Sequence, residues 1–159
     1  MALSREPVTS IGGLRVTPDL TLGKLKPNGS VMLVLPGGIA WDKHTNKEAA
    51  QLAAKFLAKG TLVAAICGAT VGLASVGLLD AVPHTSNSKE YIAATGYKGS
   101  AFFRKKPAVK SANLITASAM SPLEFSREVF PRSAFTPRQL LRLGTACTRP
   151  ETPSISPRS

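Results

Sequence analysis

The chain has 159 residues, 43% of them hydrophobic, a size that suits one globular domain and is too short for two ordinary ones. Its two cysteines form no disulfide framework, no apolar run is long enough for a membrane span, and the first residues do not read as a signal peptide. The net charge of +11 is spread along the chain, and residues 131–159 contribute five arginines in a Pro/Ser/Thr-rich context. We therefore expect a cytoplasmic protein that binds neither nucleic acid nor membranes.

The first elements predicted are a hairpin, a strand and a helix. Residues 7–10 and 14–17 are short β runs around a glycine turn, and residues 31–35 form a buried strand that ends in Pro36-Gly37-Gly38. Thr45 and Glu48 have the spacing of a capping box, which predicts that a helix begins there and ends before Gly60.

Cys67 stands where a predicted strand turns into a predicted helix. Residues 61–66 are an apolar run of strand formers, and residues 71–79 read as a buried helix. A cysteine at such a turn has the arrangement of a nucleophile elbow, in which the start of the helix favours the reactive thiolate. Gly68 allows a tight turn and close approach of a substrate. The alternative is a small buried cysteine in an α/β core.

The remaining elements complete an alternating pattern. Residues 82–87 predict a short strand and loop, and residues 113–118 another strand. Ser121 and Glu124 form a second capping box with Pro122 at the first helical position, and that helix runs through Val129. Strands alternating with helices imply a mostly parallel sheet covered on both faces. The basic run 104–106 is expected to be a solvated loop.

Four segments in this order resemble the ThiJ/PfpI family of class I glutamine amidotransferase-like proteins: LVLPGGIAWD, AAICGATVGLASVGLLD, VPHTSN and NLITASAMSPLEFSREVF. The resemblance covers about residues 7 to 130 and implies a flavodoxin-like, doubly wound α/β domain over residues 1–130. Family members begin with a strand–helix–strand unit ahead of the segment PVTSIGGLRVTPD, and this unit also carries an acidic residue that hydrogen-bonds the cysteine. The resemblance therefore implies a domain that lacks its first strand and helix, with an uncovered sheet edge and low stability on its own.

The last segment, residues 131–159, departs from the family. Its Arg/Pro/Ser-rich composition predicts a disordered tail, in which Cys147 has no assigned role. A frameshift after about residue 130 is the other interpretation, because codons exist that spell a family-like ending when read one base along.

The resemblance implies a set of catalytic residues. Cys67 is the nucleophile, and the backbone N–H groups of Gly38 and Gly68 are the oxyanion donors. The proton carrier is open between His84 and Asn87, since matching VPHTSN to the family puts Asn87 at the usual histidine position. His44 is expected to be a solvated loop residue. No clustered ligands predict a metal site, and no motif predicts a cofactor.

The predicted function is a cysteine-dependent hydrolase that acts on an amide or related carbonyl group of a small-molecule or peptide substrate. Amidase, peptidase and deglycase-like activities all fit this chemistry. The alternative is a non-catalytic protein, either redox-responsive through an oxidisable cysteine or the remnant of a disrupted gene. The sequence leaves the substrate open, and also whether the protein is a homodimer.

Overall fold

The computed structural model describes residues 2–10, 12–43 and 45–130, and every helix and strand given below lies in the unit Met1–Val129. His44, Cys147 and the predicted tail lie outside the described residues, so the expectations about them stay predictions. None of the described helices is both long and apolar enough to cross a membrane.

From residue 32 onward, one or two strands are followed by one or two α-helices, which is the α/β order that the sequence predicts. The strands are β1 Val8–Thr9, β2 Arg15–Val16, β3 Met32–Leu35, β4 Leu62–Ile66, β5 Ala108–Ser111 and β6 Leu114–Ala117. The α-helices are α1 Ile39–Asp42, α2 Lys47–Ala58, α3 Ala69–Ser75, α4 Lys89–Ala93 and α5 Pro122–Val129. β1 and β2 pair antiparallel, which confirms the predicted hairpin.

The main sheet has four strands in the order β3-β4-β6-β5. β4 lies parallel to both β3 and β6, with Val63 opposite Leu33 on one side and Leu114 on the other. β5 joins antiparallel at the edge next to β6. The predicted mostly parallel α/β sheet is confirmed, and the carboxyl ends of β3 and β4 point to the same edge, where Gly37 and Cys67 follow them.

Both faces of the sheet are covered by helices. Leu33, Val63 and Ala65 belong to one apolar cluster with Phe56 of α2 and Leu73 of α3. The alternate residues Ala64 and Ile115 form a second cluster with Val129 of α5. The two faces of β4 therefore pack into two separate hydrophobic clusters, which is why β4 is apolar along its whole length.

One predicted cap and one predicted helix end are wrong. The capping box at Thr45 and Glu48 does not form: Asn46 is the N-cap residue of α2 and has no side-chain cap, and the Thr45 hydroxyl donates to the carbonyl of Ala40. α3 ends at Ser75 rather than near residue 79, since Gly77 has a φ of 75° and turns the chain out of the helix. Gly60, also at a φ of 75°, follows α2 as predicted.

Other differences concern short elements. Residues 82–87 form no strand, and only an isolated bridge joins His84 to Phe103. α1, α4 and β5 were not predicted, because a segment of four or five residues that mixes polar and apolar types shows no clear periodicity.

The outer edge of β3 is open. Among the described residues β3 pairs only with β4, and Val31 and Val34 are 92% and 40% exposed. The prediction of a fully buried strand at residues 31–35 is therefore wrong in part, since only Leu33 and Leu35 are buried. The expected uncovered apolar edge lies here.

Candidate active site

Cys67 forms a strained turn between β4 and α3. Its φ of 60° is in the left-handed region, which a residue with a side chain rarely adopts and which costs on the order of 1–3 kcal/mol. The turn is held on both sides: the Cys67 N–H donates to the carbonyl of Ala117 at 3.0 Å, and the Thr70 hydroxyl donates to the Cys67 carbonyl at 2.6 Å. The thiol is half-buried. This geometry is that of a nucleophile elbow.

The loop that follows β3 lies directly against the cysteine. A Cβ atom on Gly37 would stand 2.6 Å from Cβ and 3.1 Å from Sγ of Cys67, so only glycine fits there. A Cβ atom on Gly68 would stand 2.9 Å from the carbonyl oxygen of Gly38. The structure therefore places the residues Gly38 and Gly68 next to each other near Cys67, and their role as oxyanion donors stays a prediction. Neither N–H group donates a hydrogen bond within the described part of the chain.

Trp41 fixes this glycine loop onto α3. Its indole N–H donates to the Pro36 carbonyl at 2.8 Å, and its buried ring lies where a side chain on Gly72 would be, 2.3 Å from an added Cβ. Trp41 was not among the predicted site residues. The signal was present, since the chain's single tryptophan comes three residues after Gly38.

Asn87 is the polar side chain that reaches the sulfur. Its amide NH₂ group donates to Cys67 Sγ at 3.7 Å, while its amide oxygen accepts from the Ala119 N–H at 2.9 Å. The second bond fixes which end of the amide faces the cysteine. An asparagine amide can orient a sulfur atom and donate to it, but it does not carry a proton to or from it.

His84 has both ring nitrogens engaged elsewhere. It is fully buried, its Nδ1 lies 2.8 Å from the Val82 carbonyl, and its Nε2 lies 3.1 Å from the hydroxyl of Tyr97. A carbonyl only accepts, so Nδ1 donates and Nε2 of the neutral ring accepts from the tyrosine. Burial lowers the pKa of His84, outweighing the opposite effect of the Val82 hydrogen bond. No hydrogen bond of the described residues joins His84 to Cys67.

A tyrosine–carboxylate pair lies beside the elbow. The Tyr91 hydroxyl on α4 donates to the carboxylate of Asp42 on α1, which joins the two short helices that follow Asn87 and Gly38. Burial raises the pKa of the Tyr91 phenol most, the Asp42 bond and charge raise it further, and a negative charge on Cys67 adds to the effect. The phenol is therefore neutral at physiological pH. The pair joins residues 49 positions apart, so no local sequence pattern indicated it.

The sequence matches the profile of the DJ-1/PfpI family over residues 1–131, and the chain belongs to this family. It is 39% identical over 134 residues to a Bacillus subtilis (strain 168) protein named Uncharacterized protease YoaZ, covering 83% of this chain and 64% of that protein. It is 37% identical over 79 residues to Deglycase PH1704 of Pyrococcus horikoshii, covering 49% of this chain and 48% of that protein.

A solved structure shows the same fold. The crystal structure of the thiJ/pfpI family protein from Bacillus anthracis matches with a TM-score of 0.75 and 40% sequence identity, covering 87% of this chain and 66% of that one. The flavodoxin-like fold predicted from the resemblance is confirmed. The chain spans somewhat less than two thirds of the length of both YoaZ and the Bacillus anthracis protein.

Proposed function

We propose that this protein is a hydrolase in which the Cys67 thiolate attacks an activated carbonyl group. The observation that carries the proposal is the left-handed turn at Cys67, which holds Sγ against the glycine loop and within reach of the Asn87 amide. The names of the similar proteins, protease and deglycase, support hydrolytic chemistry on a carbonyl compound.

The proposed reaction runs in two halves. After the thiol has lost its proton to solvent, Sγ forms a bond to the carbonyl carbon, and the π electrons move to the oxygen, which accepts from the N–H groups of Gly38 and Gly68. The carbonyl then re-forms, and the leaving group departs with its bonding electrons and takes a proton from water. A second water attacks the thioester, which releases the acid and restores the Cys67 thiol.

The leaving group sets the choice of substrate. No hydrogen bond of the described residues joins Cys67 Sγ to a basic side chain, and the Asn87 amide does not transfer protons. A poor leaving group such as a peptide amine needs a positioned acid, whereas the phenoxide of an activated ester does not. We therefore place esterase-like turnover ahead of peptide hydrolysis.

The test compares two single-cysteine variants. Cys67→Ser is expected to lower kcat/KM for an activated ester by at least about 100-fold, because serine lacks the nucleophilicity of a thiolate. Cys147→Ser is the matched control, and it should keep the wild-type rate. Equal turnover by wild type and Cys67→Ser would refute the proposal. A rate of peptide cleavage comparable with ester cleavage would refute the preference for good leaving groups.

A further inference from the structure

A large cavity is lined in part by Asn87, the residue whose amide donates to Cys67 Sγ. It has a volume of about 620 Å³ and is formed by residues of three segments, 85–90, 103–107 and 118–121. Asn87 is part of its wall and also donates to Cys67 Sγ at 3.7 Å. The cavity is therefore next to the reactive sulfur through Asn87, and we expect a substrate bound in it to present its carbonyl group to Cys67.

The charge on the cavity wall is mostly positive. Three lysines line it, Lys89, Lys105 and Lys106, against the one carboxylate of Glu90. Arg104, the remaining residue of the basic run 104–106, is not part of the cavity wall. Its guanidinium donates to the carbonyls of Ala101 and Phe103. Two residues of the run predicted to be a plain solvated loop thus face a concave surface.

Hydroxyl groups and a hydrogen-bonded frame complete the wall. The Thr85 hydroxyl donates to the Lys106 carbonyl at 2.8 Å, and the Thr85 N–H donates to the hydroxyl of Thr116 at 2.9 Å. Ser118 and Ser121 share a hydroxyl–hydroxyl bond of 2.9 Å. The Lys106 backbone is therefore held by Thr85 before a ligand arrives, and the wall includes serine residues and lysines.

We propose that this cavity binds an oxyanion group, a carboxylate or a phosphate, on a substrate whose carbonyl carbon is attacked by Cys67. The inference rests on the proposed function for the identity of the reacting group. The apolar surfaces of Phe103 and Pro107 leave room for a short aliphatic spacer beside the charged end. The substrate class is then a small acidic carbonyl compound, and a long polypeptide is a poorer fit.

The kinetic test uses two esters of equal length, mono-4-nitrophenyl adipate and neutral 4-nitrophenyl hexanoate, with the rate of Cys67→Ala subtracted. Wild type should prefer the acidic ester by about tenfold in kcat/KM, a difference of about 1.4 kcal/mol. The double variant Lys105→Gln/Lys106→Gln should lose most of this preference, through a lower kcat/KM for the acidic ester. Lys98→Gln/Lys110→Gln, which changes two exposed lysines outside the cavity wall, should keep the preference. Added salt should reduce the preference, since the lysines are exposed.

A binding measurement distinguishes two outcomes: a cavity that does not bind the anion, and a Cys67 that does not react with the substrate. Adipate and inorganic phosphate are titrated at millimolar concentrations into Cys67→Ala, with and without the Lys105/Lys106 changes, and followed by NMR shifts. Binding that the lysine changes weaken supports the cavity, and the tighter of the two ligands tells carboxylate from phosphate. No binding of either, together with equal rates on the two esters, overturns the inference. If Cys67 is still required for turnover in that case, the proposed function stands without it; if adipate binds but turnover does not need Cys67, only the proposed function fails.

Discussion

The β4–α3 elbow and the outer edge of β3 belong to the same sheet, yet the chain surrounds them to different degrees. In β4, residues Val63, Ala64 and Ala65 are fully buried and paired on both sides. In β3, Val34 is 40% exposed and lines a cavity of about 420 Å³ that also reaches Gly37. The proposed nucleophile, Cys67, therefore directly follows the enclosed strand, and the glycine loop that contacts it follows the open one.

The two parts of the site, the sulfur atom and the glycine N–H, therefore depend on different strands of the sheet. The position of Cys67 Sγ depends on β4, on the Ala117 carbonyl of β6, which accepts from the Cys67 N–H, and on the Asn87 amide. The position of the Gly38 N–H depends on a loop that the open strand leads into and that Trp41 holds down. We expect changes in the loop to affect turnover most, and changes in β4 to affect stability most.

The largest effect is expected for Gly37→Ala. The added methyl group would lie 2.6 Å from Cys67 Cβ, so the loop or the cysteine must move, and kcat/KM for an activated ester should fall about 100-fold with the oxyanion donor displaced. Gly29→Ala is the control, since no atom lies within 4 Å of the added Cβ. A rate within about twofold of wild type for Gly37→Ala would show that the loop does not lie against the cysteine.

A second prediction makes one substitution in both strands. Val63→Thr places a hydroxyl where the side chain is fully buried, and it should lower the free energy of unfolding by about 1–3 kcal/mol. Val34→Thr places the same hydroxyl at the open edge, where water satisfies it, and should cost less than about 0.5 kcal/mol. Urea unfolding of both variants measures the two values. Equal losses would mean that the edge of β3 is covered in solution.

The smallest effect concerns pH and His84. Because the folded-state pKa is below the ordinary 6.5, the unfolded chain binds the proton more readily, and stability is lost as pH falls below that value. The thermal midpoint should drop between about pH 7.5 and pH 5.5, and His84→Asn should reduce that slope. His44→Asn, which changes the other histidine, should not. A slope that is unchanged in His84→Asn would contradict the buried neutral ring.

The same variant addresses the open choice of proton carrier. If the His84→Asn variant remains folded, an activated ester should acylate its Cys67 at nearly the wild-type rate, because neither ring nitrogen of His84 contacts the sulfur. A loss comparable with that of Gly37→Ala would instead support His84 as the carrier, which the sequence analysis left open beside Asn87.

How much was predictable depends on the range of each interaction. The turn at Cys67 follows from a strand, a glycine and a helix within about a dozen neighbouring residues, so its place in the fold could be read from the chain. The choice between His84 and Asn87 could not be predicted. The two residues are three positions apart in an irregular loop, and the course of that loop decides which side chain faces the sulfur. The bond between Tyr91 and Asp42 and the cavity at Lys105 depend on segments far apart in sequence. Strand β5 was missed because its four residues mix polar and apolar types without clear alternation.

Mass mapping of the acylated protein tests the central role of Cys67 most directly. Wild type is mixed with an activated ester, quenched in acid within the first turnover, digested and analysed for the mass of the acyl group. The expected result is one acylated peptide, carrying the group on Cys67, whose formation rate matches the burst of released nitrophenol and is much faster than labelling of Cys147. An acyl group on another residue, or steady turnover with no acyl group on Cys67 at any time, would contradict it.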